Sequence, residues 1–480
     1  MTDHSARQDP ERRASPVWSA GRKDTVAAIL LSAVALVCIF ILEARFFGLE
    51  INEIRVNDTP VTLYVANGAT PAPPVVIAHG FAGSRQMMDQ ISVSLARQGF
   101  LVASLDLPGH GRHPGQLSPD IGSLDGTTAQ LAQVVEQVAE DIAKRPDTIG
   151  PISFVGHSMA TDLVIRAAER RDDVGGIVAI SMYSPAVTPT SPSALLVISG
   201  AREEHLRGAG LDAAQLVDPA ASEGETVTRN GVTRRTAVAP FVGHVGVLFA
   251  PTSLLETTAW LREATEVGQI APLDTSGWIA GVLLTTLVLL VWPIAKMLPQ
   301  RDTAPMLPLS WRGFLICVTL PIPIALIVAA LPTFGIVGHA AFGTLGVIFG
   351  AWGVVQITVL RRCGIRYQAP DAIGTVGYLA LALVFALALD RYGAAFLPVG
   401  DRAVVLLGLL LGTVPFAIAD TALVHNASFL RRILTRLSFL AVLSAAMALI
   451  PSQLGLAFTT LPVLVLFFVV YGTMARWVAA

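Results

Sequence analysis

Ser158 is the residue whose surroundings most clearly point to chemistry. The stretch Phe154-Val155-Gly156-His157-Ser158-Met159-Ala160 reads as a strand, a sharp turn, and a small residue opening a helix. A serine hydroxyl is a poor nucleophile until a base takes its proton. Such a turn lifts the hydroxyl clear of the backbone and brings the next N–H groups beside a reacting carbonyl. Gly156 removes a Cβ where the turn crowds its neighbours. Ala160 is the next smallest choice after glycine, so the turn closes with tighter helix–strand packing. The pentapeptide G-x-S-x-A carries little weight alone; its weight comes from the elements around it.

Those elements alternate. Pro73 to Ala78, Phe100 to Leu105, Gly176 to Ser181 and Ala194 to Gly200 are short apolar runs, each followed by a polar or glycine-rich turn. Continuous apolar runs of this length suit buried parallel strands. Between them, 87–98 and 127–144 have apolar residues at helical spacing, the second with Leu131, Val134, Val135, Val138 and Ile142 on one face. Strands alternating with helices imply a parallel sheet covered on both faces. Ligands of such sheets bind at the carboxyl ends of the strands, where the turns above fall.

Through HGFAGS (79–84), LDLPGHGR (105–112), GHSM (156–159) and GHVGVLF (243–249), the chain resembles the α/β-hydrolase superfamily. It is most similar to the monoglyceride-lipase or serine-aminopeptidase-like branch, over roughly residues 50–268. The resemblance implies an α/β fold with Ser158 as nucleophile and His244 as general base. It places the acid just past the strand ending near Gly200, at Glu203, with Glu204 as the other choice. Backbone N–H groups of Phe81 and Met159 would form the oxyanion hole, and His79, Gly80, Gly156 and His157 would support the site. Many members insert a helical lid after the strand that here ends near Ser181. The next strand starts near Ala194, which leaves no room for one, so the site should be open or roofed by another segment.

His110-x-x-His113 has a metal-like spacing, but Gly109, Gly111 and Pro114 make the stretch a loop and no cysteine or paired carboxylate joins it. No metal and no cofactor are expected. Arg229-Asn230-Gly231-Val232 reads as a hairpin turn, either an extra ribbon near the site or an edge elaboration.

The chain as a whole is too apolar for a pair of soluble domains, at 53% hydrophobic and 14% charged. Apolar runs long enough to span a membrane occupy 25–42 and then lie near 277–295, 313–331, 336–359, 372–389, 403–423, 437–450 and 456–474, about eight in all. The first lacks a small-residue cleavage pattern at 41–45 and reads as an uncleaved anchor. The organisation expected is a basic tail (1–24), an anchor (25–46), the hydrolase domain (47–268) and a polytopic all-α membrane domain (269–480). Lys296, Arg301, Arg312, Arg361, Arg362, Arg366, Arg431, Arg432, Arg436 and Arg476 all fall on the side of the basic N-terminus. The opposite loops 332–335 and 451–455 have none, and in 390–402 Arg391 and Arg402 are balanced by Asp390 and Asp401. Basic residues stay cytoplasmic, which puts the hydrolase domain outside. Arginine-rich, lysine-poor composition looks bacterial, hence a cytoplasmic membrane with the domain in the periplasm. Asp420 is either an intramembrane acid or, the preferred reading, the cap of an interfacial helix whose span ends near Ala419. His339 and His425 read as interfacial.

Cys38, Cys317 and Cys363 lie outside the hydrolase stretch, so that domain needs no disulfide. A net charge of −2 gives no hint of nucleic-acid binding. The expected activity is a membrane-bound serine esterase acting on an acyl-ester or lipid-like substrate. The alternatives are a peptidase of the same fold, or a hydrolase-like binding module of a transporter or sensor.

Overall fold

The structure is a computed structural model describing residues 21–118, 123–267, 269–298, 309–331, 335, 340–365, 372–395, 397–424, 427–454 and 460–479. His339, His425, Arg301 and Arg366 lie outside the described residues. The chain forms two units. One comprises Val34–Thr286 with Phe385–Val399; the other comprises the N-terminal residues to Ala33, Leu287–Val384 and Gly400–Ala480.

The apolar helix α1 (Arg22–Ala44) leads into strands β1 (Leu49–Val56), β2 (Thr59–Ala66) and β3 (Pro74–Ala78). Next come α2 (Asp89–Arg97), β4 (Leu101–Leu105), α3 (Ala129–Ala143), β5 (Ile152–His157), α4 (Met159–Ala168), β6 (Val174–Ile180) and β7 (Ala194–Gly200). Then α5 (Glu204–Gln215), β8 (Thr226–Arg229), β9 (Val232–Ala239) and α6 (Pro251–Thr265) complete the α/β part. The sheet order is β1-β2-β4-β3-β5-β6-β7-β9-β8. From β4 to β9 neighbouring strands are parallel, and antiparallel pairs close both edges.

Period-two alternation sorts each central strand between two cores. Val76, Ala78, Phe154, Ile177, Ala179, Leu195 and Val197 pack on the α3 and α4 side with Leu131, Val135, Val138, Ile142 and Leu163. Val75, Ile77, Val155, Val178, Ile180, Leu196 and Ile198 pack on the α2 and α6 side with Ile91, Leu95, Leu254 and Leu261. Burial on both faces explains why the strands read as unbroken apolar runs. The chain leaves β3 toward β4 on one side and later adds β5 on the other, so the turns after β3 and β5 flank the switch in strand order, where such sheets open a crevice.

Asn230 and Gly231 both take positive φ, as a two-residue hairpin turn requires. β8 is an edge strand, but β9 pairs in parallel with β7 and belongs to the central sheet. The 184–193 loop forms no helix. The buried Arg234 guanidinium holds this loop by donating to the carbonyls of Pro192 and, at 3.2 Å, Thr188.

The second unit is helical: α7 (Gly277–Met297), α8 (Trp311–Thr319), α9 (Pro321–Ala330), α10 (Ala340–Arg362), α11 (Ala372–Tyr392), α12 (Asp401–Val424), α13 (Phe429–Leu449), α14 (Pro451–Leu454) and α15 (Thr460–Ala479), with α7 and α11 each continuing into the first unit. Seven of the described apolar segments are long enough to cross a membrane, and α15 adds a shorter apolar stretch, Val463–Met474. The run at 313–331 is two helices meeting at Pro321, which cannot donate to the preceding turn. The run at 437–450 starts earlier than expected: Ser428 caps α13 by accepting from the Arg431 N–H, so Arg431, Arg432 and Arg436 lie in the helix, not in a loop. Asp420 does not end its span. α12 continues to Val424, and Asp420 is paired with Arg436 at 3.3 Å. Phe349, Trp352, Phe416 and Phe439 form the aromatic centre of this unit.

Candidate active site

Ser158 sits at the turn between β5 and α4 with φ 53° and ψ −120°, a strained conformation for a residue with a side chain. Neighbouring bonds hold it there. Its N–H donates to the Ile180 carbonyl at 2.8 Å, and its carbonyl accepts from the Thr161 N–H at 2.9 Å and the Thr161 hydroxyl at 2.7 Å. A Cβ on Gly156 would lie 2.6 Å from the Ala160 carbonyl oxygen and 2.8 Å from Val164, so only glycine lets α4 cross β5 here. Gly80 is similarly constrained: a Cβ there would be 2.9 Å from the His157 ring and 3.0 Å from Ser158.

His244 arrives on the loop after β9. Its Nε2 is 2.8 Å from Ser158 Oγ, and its Nδ1 is 2.6 Å from Glu203 Oε1. Glu203 immediately precedes α5 and is 8% exposed. Burial alone would raise its carboxyl pKa. Hydrogen bonds from His244, from the Gly200 N–H at 2.6 Å and from the Ser181 hydroxyl at 2.8 Å outweigh burial and hold it below the usual glutamate range. Glu204 is exposed in the first turn of α5 and is not bonded to His244. Two acids compete for the role in the sequence, and the geometry brings only one of them to the histidine.

His157 and His79 have fixed protons. The His157 Nε2 faces the His244 carbonyl at 2.9 Å; a carbonyl only accepts, so Nε2 carries the hydrogen. His79 Nδ1 faces the Gly80 carbonyl at 2.8 Å while its Nε2 accepts from the Leu107 N–H at 3.1 Å, which fixes the neutral Nδ1–H form. Burial lowers the pKa of both rings to about 4. His110 meets the His79 ring at a tilt and the Phe81 ring edge-on, and its Nδ1 donates to the Pro108 carbonyl. His113 Nδ1 accepts from the Gly115 N–H. Among the described residues no group of His, Cys, Asp and Glu is placed to hold a metal ion.

Phe81 and Met159 occupy the turn after β3 and the first position of α4. The N–H of a first helical residue has no partner within its helix and is free to point at a ligand. The cleft at Ser158 is small, about 60 Å³, and is lined by Phe81, Met87, Ser158, His244, Val245 and Leu248 among others.

Three further residues matter that composition and motifs did not single out. Ser181, at φ 53° directly after β6, donates to Glu203; its only sequence signal is a small polar residue closing an apolar strand. Thr161 fixes the Ser158 carbonyl. Asp106, fully buried, accepts from the main-chain N–H of Arg85 and of Arg112, each at 2.9 Å, and so ties the turn after β3 to the turn after β4.

Residues 69–266 match the family model Hydrolase_4, described as serine aminopeptidase, S33. Among curated proteins, the sn-1-specific diacylglycerol lipase ABHD11 of Xenopus tropicalis is 28% identical over 156 residues, which are 32% of this chain and 44% of the relative. The match therefore spans less than half of that relative's length. Among solved structures, dienelactone hydrolase from Anabaena variabilis aligns at 18% identity over 45% of this chain and 99% of that one, with a TM-score of 0.37. A predicted CIB-like hydrolase from Thermoplasma acidophilum aligns at 17% identity over 45% and 98%, with a TM-score of 0.35.

Proposed function

We propose that the α/β-hydrolase domain of this chain is a serine hydrolase that cleaves acyl esters. The observation that carries the reading is the relay from Ser158 Oγ through His244 to Glu203, two contacts of 2.8 and 2.6 Å in series. In it, His244 Nε2 takes the Ser158 proton as Oγ attacks the ester carbonyl. Glu203 keeps the His244 Nδ1–H in place and stabilises the imidazolium that forms. The developing oxyanion is held by the Phe81 and Met159 N–H groups. Collapse expels the alcohol, which leaves with the proton from His244. A water then repeats the sequence on the acyl-serine, with its proton passing through His244 to Ser158, and releases the carboxylic acid.

The cleft supports an ester whose bulk stays outside. A volume of about 60 Å³ is small beside the roughly 300–1,000 Å³ of a pocket that swallows a drug-sized ligand. Its apolar walls include Phe81, Met87, Met88, Val245 and Leu248. A lipid or another long acyl compound can present its carbonyl there while the chain lies beyond the rim. The diacylglycerol-lipase relative supports the same substrate class. The description of the matching family favours a second reading, an aminopeptidase. Recognition of a free α-ammonium calls for an anionic partner, and no carboxylate is among the described residues lining the cleft.

The reading places residues 25–46 and 269–480 in a cytoplasmic membrane, bacterial by composition, and residues 47–268 outside it. Side-chain pairs support that arrangement. Lys296 meets Asp24 at 3.0 Å, a pair at helix ends assigned to the cytoplasmic side. Arg391 and Tyr392 meet Glu43 at 2.9 and 2.8 Å, at ends assigned to the outer side.

Labelling of intact cells with a membrane-impermeant fluorophosphonate tests the proposal. The expected result is labelling of wild type and none of Ser158→Ala. Labelling only after lysis would invert the topology, and none in either condition would favour a binding module. Ester against aminoacyl-amide substrates separates the two enzyme readings.

A further inference from the structure

A stretch from between two apolar helices is built into the hydrolase unit. Residues Phe385–Val399, the end of α11 and the loop after it, belong to the same compact unit as Val34–Thr286. The bonds are specific. The Asp390 carboxylate accepts from the Arg112 guanidinium and from the Leu397 N–H at 2.8 Å. The Ala395 N–H donates to Ser84 Oγ at 3.2 Å. Asp390 is 6% exposed and Ser84 1% exposed, so neither bond is a surface accident. Arg391 and Tyr392 fix the base of the stretch to Glu43 at the end of α1.

Ser84 and Arg112 lie on the two turns that determine where Phe81 sits. Ser84 ends the glycine-rich turn after β3, three residues past Phe81. Arg112 ends the turn after β4 that carries His110, whose ring meets Phe81 edge-on at 5.4 Å. Asp106 already links these turns through the Arg85 and Arg112 N–H groups. The 385–399 stretch adds one bond to each turn from outside.

We propose that Asp390, with Arg112 and Ser84, is a positioning clamp that sets the Phe81 N–H for the oxyanion. It rests on the serine-hydrolase reading above. Preorganised donors act through position, and a misplacement of 1 Å can cost about 10²-fold in rate. A clamp of this kind also gives the later part of the chain a role in the reaction: the hydrolase turns are completed by a segment far downstream, at a separation of 278 residues for the Arg112–Asp390 pair.

The test uses the full chain in detergent, a short soluble ester, and fluorophosphonate labelling of wild type as the control. Asp390→Ala and Arg112→Ala should each lower kcat about 10- to 100-fold with KM changed less than about twofold. Asp390→Glu should recover most of the loss, because it restores the charged acceptor. Ser84→Ala, a mild change that keeps the fold, should lower kcat by about threefold to tenfold. Should the Asp390 variants fail to fold, Ser84→Ala decides. Wild-type kcat in Asp390→Ala, or in Ser84→Ala where that variant decides, with labelling of wild type intact, would overturn the clamp alone. A wild type that does not label would overturn the hydrolase reading and the clamp with it.

Discussion

His157 donates its Nε2–H to the main-chain carbonyl of His244, 2.9 Å away, and the two rings meet at a tilt of 42° with centroids 5.0 Å apart. The residue beside the candidate nucleophile thus holds the backbone of the residue that would activate it. Nε2 carries its hydrogen in both protonation states, so the bond itself survives protonation, and it is burial that keeps the ring neutral. Burial lowers its pKa from 6.5 to about 4, as it does for His79.

That pair predicts an acid-sensitive fold. Between pH 6.5 and about 4 an unfolded chain binds protons at both positions that the folded one does not, so stability rises with pH across this window. Acidification from pH 6.5 therefore removes stability, up to about 3 kcal/mol for each ring, and the loss levels off below pH 4 once both folded-state rings titrate. The thermal midpoint followed by Trp fluorescence should fall steeply from pH 6.5 to 4.5. His157→Gln, which titrates in neither state, should make the fall shallower. A midpoint flat over this range would contradict the neutral assignment of both rings.

Ser181 should matter beyond its size. It donates to Glu203 Oε2, an oxygen that also accepts the Gly200 N–H, while Oε1 accepts from His244. Ser181→Ala removes one of the bonds that hold the Glu203 pKa below its ordinary value. A hydrogen bond to a charged group contributes roughly 1.5–3 kcal/mol, of which only the part felt by His244 reaches the reaction. The expected effect is a fall in kcat/KM of about tenfold. Because ionised Glu203 is favoured by folding, the stability it contributes is present above about pH 4.5 and lost as pH falls through the lowered folded value. Ser181→Ala raises the folded value toward the ordinary one, so the variant has less of this stability to lose and its loss ends at a higher pH, which acid unfolding curves of the two proteins would show.

Gly156→Ala is predicted to be severe for so small a change. The added methyl would meet the Ala160 carbonyl oxygen at 2.6 Å and Val164 at 2.8 Å, both on the helix that begins just past Ser158. Overpacking of this sort costs about 1–3 kcal/mol, and relief by moving α4 would displace Ser158 from His244. Loss of fluorophosphonate labelling by about tenfold or more is expected, with a lowered thermal midpoint. Ala160→Gly, by contrast, adds no contact and should retain labelling within about threefold.

Much of the site was legible in the sequence because strand, turn and helix each leave a local mark. The apolar runs of β3 to β7, the positive-φ turn at Ser158 and the Gly243-His244 loop are short-range signals, and the structure places their carboxyl-end turns together. Glu203 against Glu204 was not legible, since one residue's difference decides which carboxylate turns inward at the start of α5. Ser181 and Asp106 were missed for a related reason: their roles exist only once separate strands are adjacent. The Asp390–Arg112 bond is the extreme case, because residues 278 apart carry no local pattern. In the helical part, hydropathy located the helices but misplaced the start of α13. A helix rich in arginine at its first turns reads as a loop until Asp420 is seen to pair with Arg436.

The orientation of the chain can be tested on wild type through one thiol. Cys38 and Cys317 are buried, whereas Cys363 is exposed just past Arg361 and Arg362 at the end of α10. If basic helix ends stay cytoplasmic, Cys363 faces inward while Ser158 faces outward. A membrane-impermeant maleimide should then leave the protein unlabelled in intact cells and label it after permeabilisation, and Cys363→Ser should abolish that second signal. Labelling of Cys363 in intact cells would reverse the assignment of α10 and, with it, the extracytoplasmic placement of the hydrolase domain.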